Sequence, residues 1–525
     1  MTRATNETTD ETKADDAVRE LQLKLAAALA TIEKLAAENK DLVAYIESMR
    51  RRLFGRSSEK LDPNQLSLFA EQITNVAAAA QASPAETPVE KTAKSEKRAG
   101  HGRKPFAPHL SRNVIVHDVP EAERTCKCGT AMVAIGEDVC ERGHVIPAKV
   151  VVNRHVVKKY ACPNGHGVKS ASDLAAGFVE KTKFETSVYA HIAVSKFGDH
   201  LPLNRQEEIF KRYGVEISKS TMSDMMLAIH EKAAAKIVAR MREEVLASRV
   251  LQADETPITV LIEGEHGQKT GYVWVWRGDG KIVFEFRMSR GRDGPIAFLG
   301  KWRGVLQVDG YSGYDHVVLL NAIIRAACWA HVRRKFFEAL ETGFADAASV
   351  IAKIARLYRI EQAIRVRVAG QSLAKDDAIS LRADVRGRLS RIIVDRIEKE
   401  VAALRANPAT TPKSPIGKAV EYAKNQWPAL LVFLKDGEVE IDNNAVERAI
   451  RPIAVGRKNW LFAGSPRGAE AAASLYSLIQ ACRALGINPE AYLADVLEHV
   501  SPNADFSMLT PWAWAARAKE TRQPT

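Results

Sequence analysis

Residues 249–262, RVLQADETPITVLI, are rich in β-branched and apolar side chains and read as a strand that carries an acid, Asp254. Two more such runs follow, GYVWVWRG and KIVFEFRM, separated by glycine and charged turns, so three consecutive antiparallel strands fit. A helical stretch around Ile296 to Trp302 then leads to GVLQVDGYSGYD, a fourth strand ending at Asp309. A fifth, IIRAAC, precedes the helix WAHVRRKFFEAL.

The strands LQAD (251–254) and LQVD (306–309) resemble each other, and in each the glutamine two residues before the aspartate shares its face. Carboxylates at the ends of neighbouring strands can converge, and convergent hard oxygens are what Mg²⁺ selects. The best third carboxylate is Glu447, on a helix that Asp442 or Asn443 can cap. Arg451 sits one turn further on the same face. Two ions about 3.5–4 Å apart would serve in-line displacement at a phosphodiester, which is nuclease or strand-transfer chemistry. Taken singly, each acid reads equally as a cap or a surface charge. Glu255 points to the opposite face from Asp254 and ranks as a supporting group.

Working outward, 525 residues allow several domains, and a net charge of +12 favours a polyanionic partner such as nucleic acid. No apolar run reaches membrane-spanning length and the first 20 residues are polar, so the expected place is the cytosol. A heptad runs from Val18 to Leu53, with Asn39 at an a position, which predicts a parallel dimer; an amphipathic helix packed on its own chain is the alternative. It ends in Arg50, Arg51 and Arg52, candidate phosphate contacts. Residues 74–100 read as a flexible linker, and its basic end, with Arg103 and Lys104, suits a minor groove. Cys126, Cys128, Cys162 and His166 form two close pairs about a strand-like spacer, the layout of a structural zinc site, although gaps of one and three residues depart from the usual two. Without metal, the same strands would pack by themselves. Cys140 is a spare thiol. PLNRQEEIFKRYGVEISKSTMSDMMLAIHEKAA reads as a helix-turn-helix, with Gly214 in the turn, Ser218 or Ser220 as cap, and Lys219 as a candidate DNA contact.

QADETP, QVDGYSGY, CWAHVRRKF and DNNAVERAIRPIAVGRKNWLFAGS together resemble the insertion sequence 66 family of transposases, over nearly the whole chain. The resemblance implies a multidomain α+β protein: an RNase H-like mixed sheet with helices and a helical insertion, preceded by a coiled coil, a small β-rich zinc-finger-like module and a helix-turn-helix domain. The divisions are 1–62 for the coiled coil with its basic end, 63–113 for the linker and 114–172 for the finger. The helix-turn-helix domain takes 173–246. The core takes 247–342 and 441–500, with the insertion at 343–440 between them and a tail at 501–525.

By motif, the resemblance makes Asp254, Asp309 and Glu447 a catalytic triad for two Mg²⁺ or Mn²⁺ ions. It makes His331, Arg333 and Arg334 auxiliary groups, with Arg451, Arg457, Lys458 and Asn459 beside the site. The finger departs from the family pattern, since its second pair is Cys162 and His166 and its first pair is closer together. The implied activity is a DDE transposase that binds terminal inverted repeats, cleaves DNA ends and joins them to target DNA. The implied partners are transposon-end and target DNA, further copies of the chain and small accessory transposition proteins, in a cytoplasmic, nucleoid-bound setting. A non-catalytic DNA-binding regulator and a nuclease without strand transfer are the rival readings. Removing residues 1–60 is expected to convert a dimer into a monomer by light scattering; an unchanged mass refutes the zipper.

Overall fold

The structure is a computed structural model that describes residues 150–156, 158–161, 168–170, 178–180, 182–262, 264 and 267–520. The heptad, the linker, the basic groups Arg50, Arg51, Arg52, Arg103 and Lys104, and the candidate zinc ligands Cys126, Cys128, Cys162 and His166 lie outside the described residues. The chain divides into two compact units, one of them Gln81–Arg154. The other holds every helix and strand from Lys159 onward.

Its first described elements are a short antiparallel pair, β1 (Lys159–Ala161) and β2 (Val168–Ser170). Helices α1 (Thr186–Phe197), α2 (Leu203–Arg212) and α3 (Lys219–Ile229) come next. The turn between α2 and α3 contains Gly214 at φ 77°, a left-handed position that suits glycine. Of the two candidate caps it is Ser218 that acts, accepting the Thr221 amide at 3.1 Å. A π-helical turn, His230–Ala234, joins α3 to α4 (Ala235–Leu246).

Five strands then form one mixed sheet: β3 (Val250–Ile262), β4 (Gly267–Gly278), β5 (Lys281–Arg287), β6 (Val305–Gln307) and β7 (Ile324–Ala326), in the order β5-β4-β3-β6-β7. The first three pair antiparallel, and β6 and β7 run parallel to β3. The β4–β5 hairpin turns on Asp279 and Gly280, both at positive φ (48° and 79°), a two-residue turn whose twist matches the strands. The helix expected around 296–302 is α5 (Asp293–Leu299), which stops earlier because Gly300 turns left-handed at φ 55°.

Side chains opposite one another on an antiparallel ladder share a face. Trp274 and Trp276 lie on the face covered by α5, where Trp276 stacks on Phe298 at 4.2 Å between centroids. Asp254, Val275 and Phe284 lie on the other. There α14 (Pro466–Leu485) packs on edge strand β5, and Ser477 takes the Phe284 amide at 2.8 Å, so the edge is not left open.

Beyond the sheet the chain turns helical: α6 (Asp315–Leu320) precedes β7, and α7 (Trp329–Glu341), α8 (Ala347–Gly370), α9 (Lys375–Val385), α10 (Arg391–Ala406) and α11 (Pro415–Leu430) come after it. Ser414 caps α11 ahead of Pro415, and the segment NPATTPKSP is the break before it. Trp329, Val332 and Phe336 of α7 bury with Ile354, Val394, Ile397, Val420 and Ala423 in one apolar core beneath the sheet's β6–β7 side. Short α12 (Val432–Lys435) leads to α13 (Asn444–Trp460), then α14, α15 (Pro489–His499) and α16 (Pro511–Glu520). The tryptophan-rich tail is not idle, for Trp514 donates to Asp495 at 2.7 Å and holds α16 to α15.

One charged pair is fully inside this helical layer. Arg386, in the π-helical turn after α9, meets Glu361 of α8 through two bonds of 2.7 and 2.8 Å, with both side chains buried. Its remaining nitrogen donates to the carbonyls of Phe433, Asp436 and Val439. Breaking one side of such a pair strands the other charge. Arg386→Met is therefore expected to lower unfolding stability by about 3–5 kcal/mol in denaturant melts, and a loss under about 1 kcal/mol contradicts this reading.

Candidate active site

The site is built on two buried glutamines. In the parallel β3–β6 register Gln252 stands opposite Gln307, and Gln252 Nε2 donates to Gln307 Oε1 at 2.7 Å. Arg277 of β4 fixes the Gln252 amide from the other side at 2.8 Å. Asp254 and Asp309 each lie two residues beyond this matched pair, so they leave adjacent strands on one face. Asp254 accepts its neighbour's amide, Glu255 N, and Asp309 accepts Tyr311 N, both at 2.9 Å. Arg325 holds the Asp309 carbonyl at 2.7 Å. Gly310, next in the chain, has no room for a side chain, since an added Cβ would fall 2.8 Å from the Tyr422 ring.

The same glutamines position the third acid. Gln307 Nε2 donates to the Glu440 carbonyl at 2.6 Å and Gln252 Nε2 to the Asp442 carbonyl at 3.1 Å. Asn443 Nδ2 reaches the Ala253 carbonyl at 2.8 Å, and its backbone amide donates to Cys328 Sγ at 3.2 Å. Segment 440–443 is thus tied to the ends of β3, β6 and α7, and α13 starts from it with Glu447 in its first turn. Of the two capping candidates, Asp442 accepts the Asn444 amide at 3.0 Å, while the Asn443 side chain is committed to the sheet.

The acids feel one another. Burial, and then the charges of Glu255, Asp309 and Glu447, push the Asp254 carboxyl up to about 8. Glu255 is raised by burial too, opposed by Arg290 at 2.7 Å, and Tyr314 donates to it at 3.2 Å. Glu447 faces Arg334 at 3.4 Å and His331 at 3.8 Å, one turn apart on α7. Burial lowers the His331 pKa. Glu447 Oε1 and His331 Nδ1 are both buried without a hydrogen-bond partner.

The other candidate residues divide. His331 and Arg334 reach Glu447, but Arg333 points elsewhere on α7 and lies half-buried beside Tyr358 of α8. Arg457 is tied to strand β3, donating to Thr256 Oγ1 at 2.9 Å and to the Pro257 carbonyl. Arg451, Lys458 and Asn459 are exposed on α13, and Lys219 is exposed at the start of α3. Cys328 and Asn443 carry no signal in the sequence that marks them as functional groups. The repeated LQ-x-D is the signal for the glutamines, but nothing in it tells that Gln307 also grips a carbonyl 133 residues away.

The profile described as the Transposase IS66 family matches residues 181–471. The chain belongs to this family. Three further profiles match in order: Transposase C of IS166 homeodomain at 41–115, a leucine-zipper-like region, zinc-finger binding domain of transposase IS66 at 123–164, and IS66 C-terminal element at 477–512. Among similar proteins, Uncharacterized protein y4qI of Sinorhizobium fredii (strain NBRC 101917 / NGR234) is 34% identical over 94% of this chain and 93% of its own length. Uncharacterized protein y4jD of the same strain is 31% identical over 92% of this chain and 96% of its own. IS66 membership accounts for the order of modules, and no helix among the described residues is long and apolar enough to cross a membrane.

The sign of the Asp254 shift is testable in metal-free protein. An acid whose folded pKa lies near 8 stays protonated in the fold while the unfolded chain ionises near 3.8, so stability falls as pH rises between these values. Asp254→Asn is expected to flatten this slope in melts from pH 4 to 8; an unchanged slope contradicts the assignment.

Proposed function

We propose that this IS66 family member is a DDE transposase with an RNase H-like core, in which Asp254, Asp309 and Glu447 form the metal-binding triad. The observation that carries the reading is the register-matched pair of aspartates, whose strands also tie down segment 440–443, from which the helix of Glu447 starts. The strand order, three antiparallel strands followed by two parallel ones added beside the first, supports the RNase H-like assignment.

The residue types fit divalent ions; among the described residues the ligand atoms within 4.8 Å of one another are those of Cys328, His331 and Glu447, so sharing an ion with the aspartates would draw Glu447 towards them. An acid held up at about 8 by burial and its neighbours' charge, and a buried Glu447 oxygen with no donor, are what a carboxylate cluster lacking counter-charge presents. Asp254, Asp309 and Glu447 would hold Mg²⁺ or Mn²⁺, which when bound supplies activation of the attacking oxygen and stabilisation of the departing one. The chain's own part is to aim these oxygens and keep them aimed. The Glu255 and Tyr311 amides orient the two aspartates, and Arg334 orients Glu447. Water first attacks the phosphorus at the transposon end, leaving a 3′-OH on the element and a 5′-phosphate on the flank; that 3′-OH then attacks a target phosphorus, forming a new phosphodiester as the target's 3′-oxygen departs as a hydroxyl.

The remaining modules fit the same protein. The finger profile at 123–164 supports structural zinc on Cys126, Cys128 and Cys162, with His166 just beyond the match. Arg50, Arg51, Arg52, Arg103, Lys104 and Lys219 are read as DNA contacts, and the leucine-zipper-like region as the link between copies. Small accessory proteins and a cytoplasmic, nucleoid-bound location complete the proposal.

Asp254→Asn, Asp309→Asn and Glu447→Gln are each expected to lower Mg²⁺-dependent end cleavage by at least about a hundredfold, the scale of losing an electrostatic stabiliser at a reacting centre, while DNA binding persists. Full cleavage by any of them refutes the triad. Cleavage by the natural chain with no joined target product makes it a nuclease.

A further inference from the structure

Helix α13 presents a row to solvent that the triad does not use. Arg448, Arg451, Val455 and Lys458 succeed one another at steps of three, four and three residues, which sets them along one face, and all are exposed. Arg448, Arg451 and Lys458 have no ion pair or hydrogen bond among the described residues. Some exposed arginines on other helices are neutralised, as Arg391 is by Asp395 and Arg240 by Glu243, each at 2.9 Å, whereas others, such as Arg356 and Arg359, are open like those of α13. The α13 row is thus a run of unspent positive charge that begins beside Glu447.

Its far end is apolar and strained. Leu461 is 66% exposed and Phe462 45% exposed, directly after Lys458, Asn459 and Trp460. Leu461 has φ 65° and ψ −46°, and the Phe462 amide closes on the Trp460 carbonyl at 2.8 Å. This is the rarer, strained form of the γ-turn, in a residue with a full side chain. Both flanks are fixed. Arg457 is bound to Thr256, and Ala463 bonds β3 on both sides, to Thr259 at 2.9 Å and to Leu261 at 3.0 Å. A relaxed turn would let the two side chains fold back onto the protein, whereas this one holds them outward.

We infer that the outer face of α13 is a phosphate track and that Leu461 and Phe462 form an apolar wedge which enters duplex DNA and unstacks one base step. Exposed Arg448, Arg451 and Lys458 lead up to the wedge along the same helix, and this positive charge favours DNA over an apolar protein partner as its occupant. Unstacking by inserted apolar side chains is a general device for bending or opening duplexes. From Glu447 to Leu461 the helix rises about 21 Å, the length of about six base pairs. The wedge therefore acts away from the cut and opens the duplex beside the transposon end. This placement rests on Glu447 as part of the reacting centre.

The test uses the full chain carrying Asp254→Asn, so that bound DNA stays whole, and duplexes tiled across the DNA flanking its coding sequence, each with one 2-aminopurine. Binding is expected to raise 2-aminopurine fluorescence severalfold at one position. Phe462→Ala with Leu461→Gly is expected to abolish the rise, and Phe462→Trp to keep it. Leu461→Gly should not lower the thermal midpoint, since glycine adopts this φ without strain, so lost signal cannot be put down to unfolding. Arg451→Ala with Lys458→Ala is expected to reduce the slope of log affinity against log salt by about 2. No fluorescence rise in bound DNA, or a rise unchanged by the double wedge variant, overturns the proposal. So does a wedge variant that changes oligomeric mass and leaves the rise intact, which would assign the patch to a second copy. Failure of the triad shows instead as cleavage by Asp254→Asn, a readout independent of fluorescence.

Discussion

The architecture turns on backbone carbonyls that have no strand to pair with. From the end of α12, segment 436–443 crosses from the helical layer to the sheet as irregular chain, yet much of it is buried, so its carbonyls and the last ones of α12 need donors. Side chains supply them from every direction. Arg386 takes Phe433, Asp436 and Val439, Arg382 takes Gly437, Gln307 takes Glu440, and Gln252 takes Asp442. The Trp329 amide takes Ile441. Arg249, just before β3, grips the Asp436 and Glu438 carboxylates. Without these donors α13 would have no fixed starting point, and Glu447 no fixed relation to the aspartates.

That constraint also explains why the site is legible unevenly in the sequence. LQAD and LQVD announce two matched strands, because alternation and a repeated Gln-x-Asp are local properties. Parallel pairing of β3 with β6 then brings both acids to one face with no further information. Glu447 is different. Its place depends on donors contributed by residues 249, 252, 307, 382 and 386, and no periodicity in the chain links these to a glutamate so far along. Resemblance is what reaches it, and Cys328 and Asn443 stay hidden for the same reason. Arg333 illustrates the converse, since adjacency to Arg334 in sequence puts it on another side of α7.

Charge is distributed to leave the acids unbalanced. Glu255 has Arg290 within 2.7 Å, but it stands on the opposite face of β3 from Asp254. Among the described residues, the Glu447 carboxylate meets a half-exposed Arg334 at 3.4 Å and a His331 whose pKa burial lowers. Arg448, Arg451 and Lys458 of α13 point outward to solvent. Had Arg451 or Arg457 entered the cluster, it would have quenched the negative charge that helps raise Asp254. Instead Arg457 is spent on Thr256 and the Pro257 carbonyl, where it fixes the helix and not the acids. Positive charge is thus available to a polyanion along the surface and withheld from the centre.

The helices between α7 and α13 are best understood in these terms. A loop joining β7 and α7 to α13 directly would be shorter, but it would have to satisfy its own carbonyls beside a group of carboxylates. These helices bring a buried guanidinium that does this from behind. Arg386 can be buried only because Glu361 neutralises it, and Glu361 only because α8 and α10 enclose both. The pair therefore contributes geometry more than net stability, as its desolvation offsets most of its attraction. Its effect is to carry rigidity from an apolar core of Trp329, Ile354 and Val394 to the first turn of α13.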